Sequence, residues 1–156
     1  MLRVDFRELR QGPVETIADL EPGDPVFEGT EVDLAGPVAV RGRLQEAGHG
    51  EFFWQATLSG RVKATCRRCL AEVVIPVESE VGVLFSDAPE AADDPSMSPL
   101  PQGQGVVDLR EAVREEWALA VPVFVLCREG CAGLCPQCGA DLNVGPCGCA
   151  APAEPD

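Results

Sequence analysis

Eight cysteines in close groups narrow what this chain can fold into more than any other feature. They stand at Cys66, Cys69, Cys127, Cys131, Cys135, Cys138, Cys147 and Cys149 of 156 residues. The segment Cys135-Pro136-Gln137-Cys138-Gly139 has the form of a metal knuckle. Two thiols separated by two residues hold one ion while the turn between them aims amide hydrogens at the sulfurs. Pro136 restricts the way into that turn, and Gly139 permits an exit with positive φ. Cys147 and Cys149 flank Gly148 shortly afterwards and supply a second pair. Four cysteines remain, Cys66 and Cys69 in one pair and Cys127 and Cys131 in the other. We therefore expect two four-cysteine zinc sites. One is local (Cys135, Cys138, Cys147, Cys149), and one is long-range (Cys66, Cys69, Cys127, Cys131). The second ties the tail to the sheet through a large loop closure.

Other cysteine chemistries fit less well. The opening stretch MLRVDFRELR alternates charges and lacks the apolar core of a secretion signal. That favours a reducing cytoplasm over disulfides. A redox dithiol at Cys66 and Cys69 is expected to open a helix in a thioredoxin-like unit, whereas this pair falls in a hairpin. The spacings match none of the familiar iron–sulfur runs. A zinc ion among four thiolates leaves about two negative charges per site. Arg67, Arg68 and Arg128 adjoin the long-range ligands, where neutralising that charge and touching RNA are both open roles.

Hydropathy patterning supplies the scaffold. Phe52, Trp54, Ala56, Leu58, Val62, Ala64 and Cys66 share one parity, and polar residues fill the other except at Phe53. This period of two predicts a long strand with one buried face. Val38, Val40 and Leu44 against Arg41 and Arg43 repeat it upstream, with Gly48-His49-Gly50 as the turn between. Downstream, Val73, Ile75, Val77, Val81, Val83 and Phe85 alternate with Glu72, Glu78 and Glu80, and Pro76 sets this third strand at an edge or a bulge. Residues 2 to 9 offer one more strand. CRRC then sits in the turn between the second and third strands. Residues 86 to 105, with Pro89, Pro95, Pro99 and Pro101, read as a mobile loop, either disordered or functional.

Asp108 is expected to cap a helix, with Glu111 as its capping-box partner. Leu109, Ala112, Val113, Trp117 and Ala120 fall near helical spacing. Pro122 ends the helix, and an extended apolar segment to Leu126 delivers Cys127. The longest apolar stretch, Trp117 to Cys127, contains that proline and falls well short of the roughly 20 residues of a membrane helix. The fold class expected is α+β: mainly antiparallel sheet, one amphipathic helix and a C-terminal zinc-knuckle segment. Residues 1–126 form the β-rich body with a helix near 109–120, residues 127–149 the zinc-binding segment, and residues 150–156 a disordered tail.

Charge limits the partners. Twelve Lys and Arg stand against 26 Asp and Glu, a formal charge of −14, which disfavours whole-surface nucleic-acid binding. The exception is a basic stripe of Arg41, Arg43, Arg61, Lys63, Arg67 and Arg68, for which direct RNA contact is the alternative. Glu72 and Glu78 offer Arg61 and Lys63 cross-strand partners instead. Phe52 and Trp54 share parity with the core, so base stacking is not expected of them. His49 is solvated in its turn. No Ser/His/Asp set, phosphate-binding glycine loop or helical His pair is present, and catalysis is not expected.

CRRCL at Cys66 to Leu70, Asp108-Leu109 opening a helix, Pro122 before Cys127, GLCPQCGADLN at Gly133 to Asn143 and CGC at Cys147 to Cys149 together resemble the YceD family, the large ribosomal RNA subunit accumulation proteins. The resemblance implies a bacterial cytoplasmic protein needed for normal accumulation of large-subunit ribosomal RNA, without known catalysis. Some members of that family carry His near the positions of Cys127 and Cys131 and lack the C-terminal knuckle. This implies that those two pair with Cys66 and Cys69. Joined to the acidic charge, the resemblance suggests a zinc-stiffened, non-catalytic factor for ribosome assembly. Its expected partner is a basic ribosomal protein or the assembling large-subunit precursor, with neither a membrane nor a small-molecule substrate involved. Direct rRNA binding through the basic stripe is the second reading, and a thiol redox protein the third.

Overall fold

The structure, a computed structural model, describes residues 2–149; the 150–156 tail expected from the sequence lies outside them. Strand β1 (Arg3–Asp5) runs into the short helix α1 (Phe6–Leu9). Asp5 accepts from the Arg7 amide and the Glu8 carboxylate accepts from the Asp5 amide, so the helix opens on a capping box. Residues 2 to 9 are thus only briefly a strand. Next come β2 (Val14–Leu20), β3 (Asp33–Leu34), β4 (Val38–Gly48), β5 (Glu51–Thr65), β6 (Glu72–Ser86), β7 (Met97–Pro99), β8 (Val106–Asp108) and α2 (Arg110–Ala120). The main sheet has the order β2-β4-β5-β6-β7, with β3 also paired to β5, and β1 pairs with β8 in a small second sheet. The fold is α+β and its sheets are mainly antiparallel; β7 joins β6 in parallel.

The period-two pattern explains the centre of the sheet. In β4 and β5 one parity is sealed, with Val38, Val40, Leu44, Trp54, Leu58 and Val62 at 1% exposure or less. Arg41 and Arg43 point the other way, opposite Thr57 and Gln55. Gly50, at φ +72°, closes the β4–β5 turn, and His49 is exposed there as expected. Phe53, the one apolar residue on the wrong parity, lies over Gly82, where a Cβ would meet its ring at 3.4 Å. Pro76 falls where β6 has no β7 neighbour, because β7 covers only Leu84–Ser86. That is the edge position proline requires.

Three sequence expectations change. Strand β2 was not foreseen; its alternation is weak because Ile17 faces outward at 54% exposure while Thr16 is sealed inside. Residues 86 to 105 are not a structureless loop. They hold a 3-10 turn at Pro89–Ala92 and strand β7, and they bury Ala91 and Leu100. Helix α2 starts from Leu109, which makes no side-chain cap bond. Asp108 instead accepts from the Arg110 amide at 3.1 Å and pairs with the Arg110 guanidinium at 2.6 Å. The Leu109 amide donates to the Leu2 carbonyl at 2.7 Å, which continues the β1–β8 pairing into the start of the helix. Helix α2 buries Ala112, Val113 and Trp117. The Trp117 ring lies over Gly60, where a Cβ would stand 3.1 Å from it.

Contacts divide the chain into two compact units. One is Met1–Val62 with Pro76–Val121; the other is Lys63–Ile75 with Pro122–Asp156. All eight cysteines belong to the second.

Candidate metal centre

The second unit is built around two turns with the same backbone design. At the end of β5 the Cys66 amide donates to the Ala71 carbonyl at 2.9 Å, and the Leu70 amide returns to the Cys66 carbonyl at 3.0 Å. In the tail the Cys135 amide donates to Ala140 at 2.8 Å, and the Gly139 amide returns to Cys135 at 2.8 Å. The two six-residue sequences are CRRCLA and CPQCGA, so the repeat extends beyond the cysteine pairs to an alanine two residues later. The fifth position is left-handed in both, φ +75° at Gly139 and +62° at Leu70. Leucine there is strained by its Cβ. Such geometry persists only where the surroundings hold it in place.

These turns gather the sulfurs into two groups. Cys66, Cys69, Cys127 and Cys131 form one; Cys135, Cys138, Cys147 and Cys149 form the other, with the ligand atoms of each group within 4.8 Å of one another. In the first group the Cys66 and Cys131 sulfurs are 3.7 Å apart, and those of Cys69 and Cys127 3.6 Å. Four sulfurs at about 2.3 Å from a central ion make a tetrahedron with edges of about 3.8 Å. A disulfide needs about 2.05 Å. The donor set and spacing therefore suit a tetrahedral thiophilic ion, the chemistry of structural zinc. The pairings match the two foursomes expected from the sequence.

The surroundings favour the same chemistry. The first group is buried, with Cys66 at 0% and Cys131 at 2% exposure, and Leu126 and Leu134 pack on it. The Arg67 amide holds the extended tail segment through the Val125 carbonyl at 2.9 Å, and its guanidinium lies 5.4 Å from the centre of the Phe124 ring. Arg68 donates to the Cys131 carbonyl at 3.1 Å. Arg128 donates to the Asn143 side-chain oxygen at 2.7 Å. All three arginines are engaged within the unit. Sequence reasoning did not single out Asn143, whose amide nitrogen donates to the Cys131 sulfur at 3.3 Å.

Without a metal, the thiols of each group separate in acidity. The Cys69 amide, opposed by burial, pulls Cys66 down to about 6. The Cys138 and Gln137 amides pull Cys135 down to about 6. Asn143 favours the Cys131 thiolate and lowers it. Burial and the neighbouring sulfurs push Cys127 up to about 12, and the Cys138 and Cys147 sulfurs, with burial, push Cys149 up to about 12. At Cys69 the Ala71 amide favours the thiolate, but burial and the sulfurs of Cys66 and Cys131 outweigh it, so the thiol moves up. Four thiolates do not share such a space without a cation among them.

The sign of the pH dependence follows. The depressed thiols stabilise the metal-free fold above the ordinary value of 9, and this contribution is lost as pH falls through about 6. The raised thiols favour the neutral form, so their contribution declines as pH climbs from 9 toward 12. Metal must displace protons from Cys127 and Cys149. Zinc-loaded protein is thus expected to release metal progressively on acidification, most steeply once pH passes below about 6, as a chelator titration at stepped pH will show. Retention independent of pH across that range would count against thiolate ligation.

The basic stripe is placed less coherently. Arg41 is bound to the Asp19 carboxylate at 2.8 Å and to the Ala18 and Val40 carbonyls. Across the β2–β4 pair, Arg43 stands opposite Glu15. Arg61 and Lys63 form no ion pair among the described residues, so the expected bridges to Glu72 and Glu78 do not form. Arg43 and Arg61 lie in the first unit, and Lys63, Arg67 and Arg68 in the second.

Among the described residues, no helix is long and apolar enough to cross a membrane. An uncharacterized protein of Mycobacterium tuberculosis and one of Mycobacterium bovis are each 32% identical over 93 residues, covering 58% of this chain and 44% of theirs. An uncharacterized protein of Mycobacterium leprae is 29% identical, covering 58% of this chain and 42% of its own. The chain therefore spans less than half the length of these curated relatives. No solved structure matches it. The family described as "Large ribosomal RNA subunit accumulation protein YceD" matches residues 54–156, from the middle of β5 through both cysteine groups. The chain belongs to the YceD family.

Proposed function

We propose that this chain is a non-catalytic, zinc-binding factor that supports the accumulation of large-subunit ribosomal RNA during ribosome assembly in the bacterial cytoplasm. Membership of the YceD family carries the ribosomal part of the reading. Two closed sets of four thiols carry the metal part. Four-sulfur sites with no open position hold structure rather than activate water. Zinc is held by Cys66, Cys69, Cys127 and Cys131 in one site and by Cys135, Cys138, Cys147 and Cys149 in the other. About two zinc ions per chain are expected.

The immediate partner is a basic ribosomal protein or a precursor particle that presents one. Most of the acidic residues fall in the sheet unit, and an acidic surface speeds and orients encounter with a basic partner. Arg41, Arg67 and Arg68 are spent on intramolecular contacts, so half of the six-residue stripe is already engaged within the chain. Binding to purified ribosomal proteins and to rRNA fragments, each titrated with salt, separates the readings. Association with one or more basic proteins, with weak RNA binding, is the expected result. Tight RNA binding that falls steeply with salt would overturn it.

A further inference from the structure

Asn143 lies between Cys138 and Cys147 in the chain, inside the loop of the local cysteine group, yet its side chain serves the other group. Its Nδ2 donates to the Cys131 sulfur at 3.3 Å and to the Asp141 carboxylate at 2.9 Å. Its Oδ1 accepts from the Ala132 amide at 2.8 Å and from the Arg128 guanidinium at 2.7 Å. One side chain thus grips the segment that carries Cys127 and Cys131 and also points a donor at a ligand sulfur. The loop that presents it is itself held. The Asn143 amide donates to Asp141, the Leu142 amide donates to the Gly133 carbonyl at 2.9 Å, and Leu134 bridges Asp141. Cys138 on one side of this loop and Cys147 on the other belong to a single group of sulfurs.

We propose that Asn143 couples the two metal sites. An ion in the local site closes the loop between Cys138 and Cys147, and the closed loop sets Asn143 against Cys131 and tightens the long-range site. Asn143 is a positioning residue; it acts on the ion through a ligand sulfur. A donor to a metal-bound thiolate orients the ligand and tunes its basicity, and removing such a partner typically costs metal affinity. The coupling is reciprocal, because a shared free energy raises both affinities by the same factor. The inference rests on the reading that both groups bind metal.

The test uses full-length zinc-loaded protein and chelator-assisted alkylation, with each cysteine followed by peptide mass spectrometry so that the two sites are read separately. Five proteins are compared: wild type, Asn143→Ala, Asn143→Asp, a Cys147→Ser/Cys149→Ser variant that disables the local site, and Asn143→Ala combined with those two serines. Asn143→Ala is expected to speed alkylation of Cys66, Cys69, Cys127 and Cys131 by roughly 10- to 100-fold. The local-site variant should expose the same four cysteines, and the combined variant should be no worse than the larger single effect. Asn143→Asp keeps the oxygen that holds Ala132 and Arg128 but sets a carboxylate against the sulfur. It should behave like alanine, and in cobalt-substituted protein both variants should shift the sulfur-to-cobalt charge-transfer bands. If wild type binds two ions, then an unchanged long-range site in the local-site variant, effects that multiply in the combined variant, or full rescue by Asp would each overturn the coupling alone. Wild-type protein that binds no metal would overturn both the coupling and the metal reading beneath it.

Discussion

Stripping zinc from the protein with a strong chelator is expected to unfold the cysteine unit while the sheet unit keeps its fold. Among its described residues, the second unit buries little besides its sulfurs and Val125. Its buried cluster is Cys66, Cys69 and Cys131, with Leu126, Cys127 and Leu134 against it. Several of its larger apolar side chains are spent on the surface: Leu70, Val123, Phe124 and Val144 range from 58% to 91% exposed. Among the described residues, its regular structure beyond the ends of β5 and β6 amounts to one bridge, Leu134 to Asp141. A segment so short of buried apolar area does not repay the entropy of ordering its chain. Binding energy from the metal must do so, and for structural zinc in small peptides this amounts to about 10–16 kcal/mol at neutral pH. The check is an amide NMR spectrum before and after chelation. Resonances of residues 122–149 should collapse toward random-coil positions while those of β2, β4 and β5 stay dispersed. A metal-free protein with the full native spectrum would overturn this account. The single substitutions Cys66→Ser and Cys135→Ser should each remove one ion and reproduce part of the collapse.

The second large effect lies in the sheet. Trp54 is fully buried, and its indole N–H donates to the Thr16 hydroxyl at 2.9 Å, itself fully buried. Trp54→Ala should cost about 3–5 kcal/mol in a denaturant titration, through lost contacts and the cavity left behind. Thr16→Val leaves the indole donor unpaired and should cost about 1–3 kcal/mol. Trp54→Phe strands the hydroxyl in the same way. The double variant Thr16→Val/Trp54→Phe removes both polar partners and should be less destabilised than the sum of the two single changes. Strict additivity would mean that the bond does not form.

Much of this architecture was legible in the residues. Alternation from Phe52 to Cys66 and from Val38 to Leu44 marked β4 and β5, because an antiparallel sheet with one covered face imposes that period. Pro122 marked the end of α2 for a steric reason that applies in any fold. The CPQC spacing and the nearby CGC marked the local foursome, and the other was the four cysteines that remained. Strand β2 was hidden, because Thr16 takes an inward position that only a tertiary partner, the Trp54 indole, makes favourable. The expected capping box at Asp108 is replaced by a different arrangement: its carboxylate takes the Arg110 amide and guanidinium.

The residues by themselves determined which atoms are available: eight sulfurs in tight pairs, strands of fixed parity, and an excess of acidic charge. Each of these is a local property of side-chain chemistry or of backbone period, so it can be read without knowing what lies across the fold. Tertiary structure alone decided that CRRCLA and CPQCGA adopt one turn geometry despite the leucine, and that Asn143 turns from its own loop to the sulfur of Cys131. It also decided that Arg41, Arg67 and Arg68, half of the basic stripe, are taken up by carbonyls, a carboxylate and an aromatic ring. Those outcomes depend on partners distant in sequence, and a hydrogen bond is set by distance and angle in space rather than by separation along the chain.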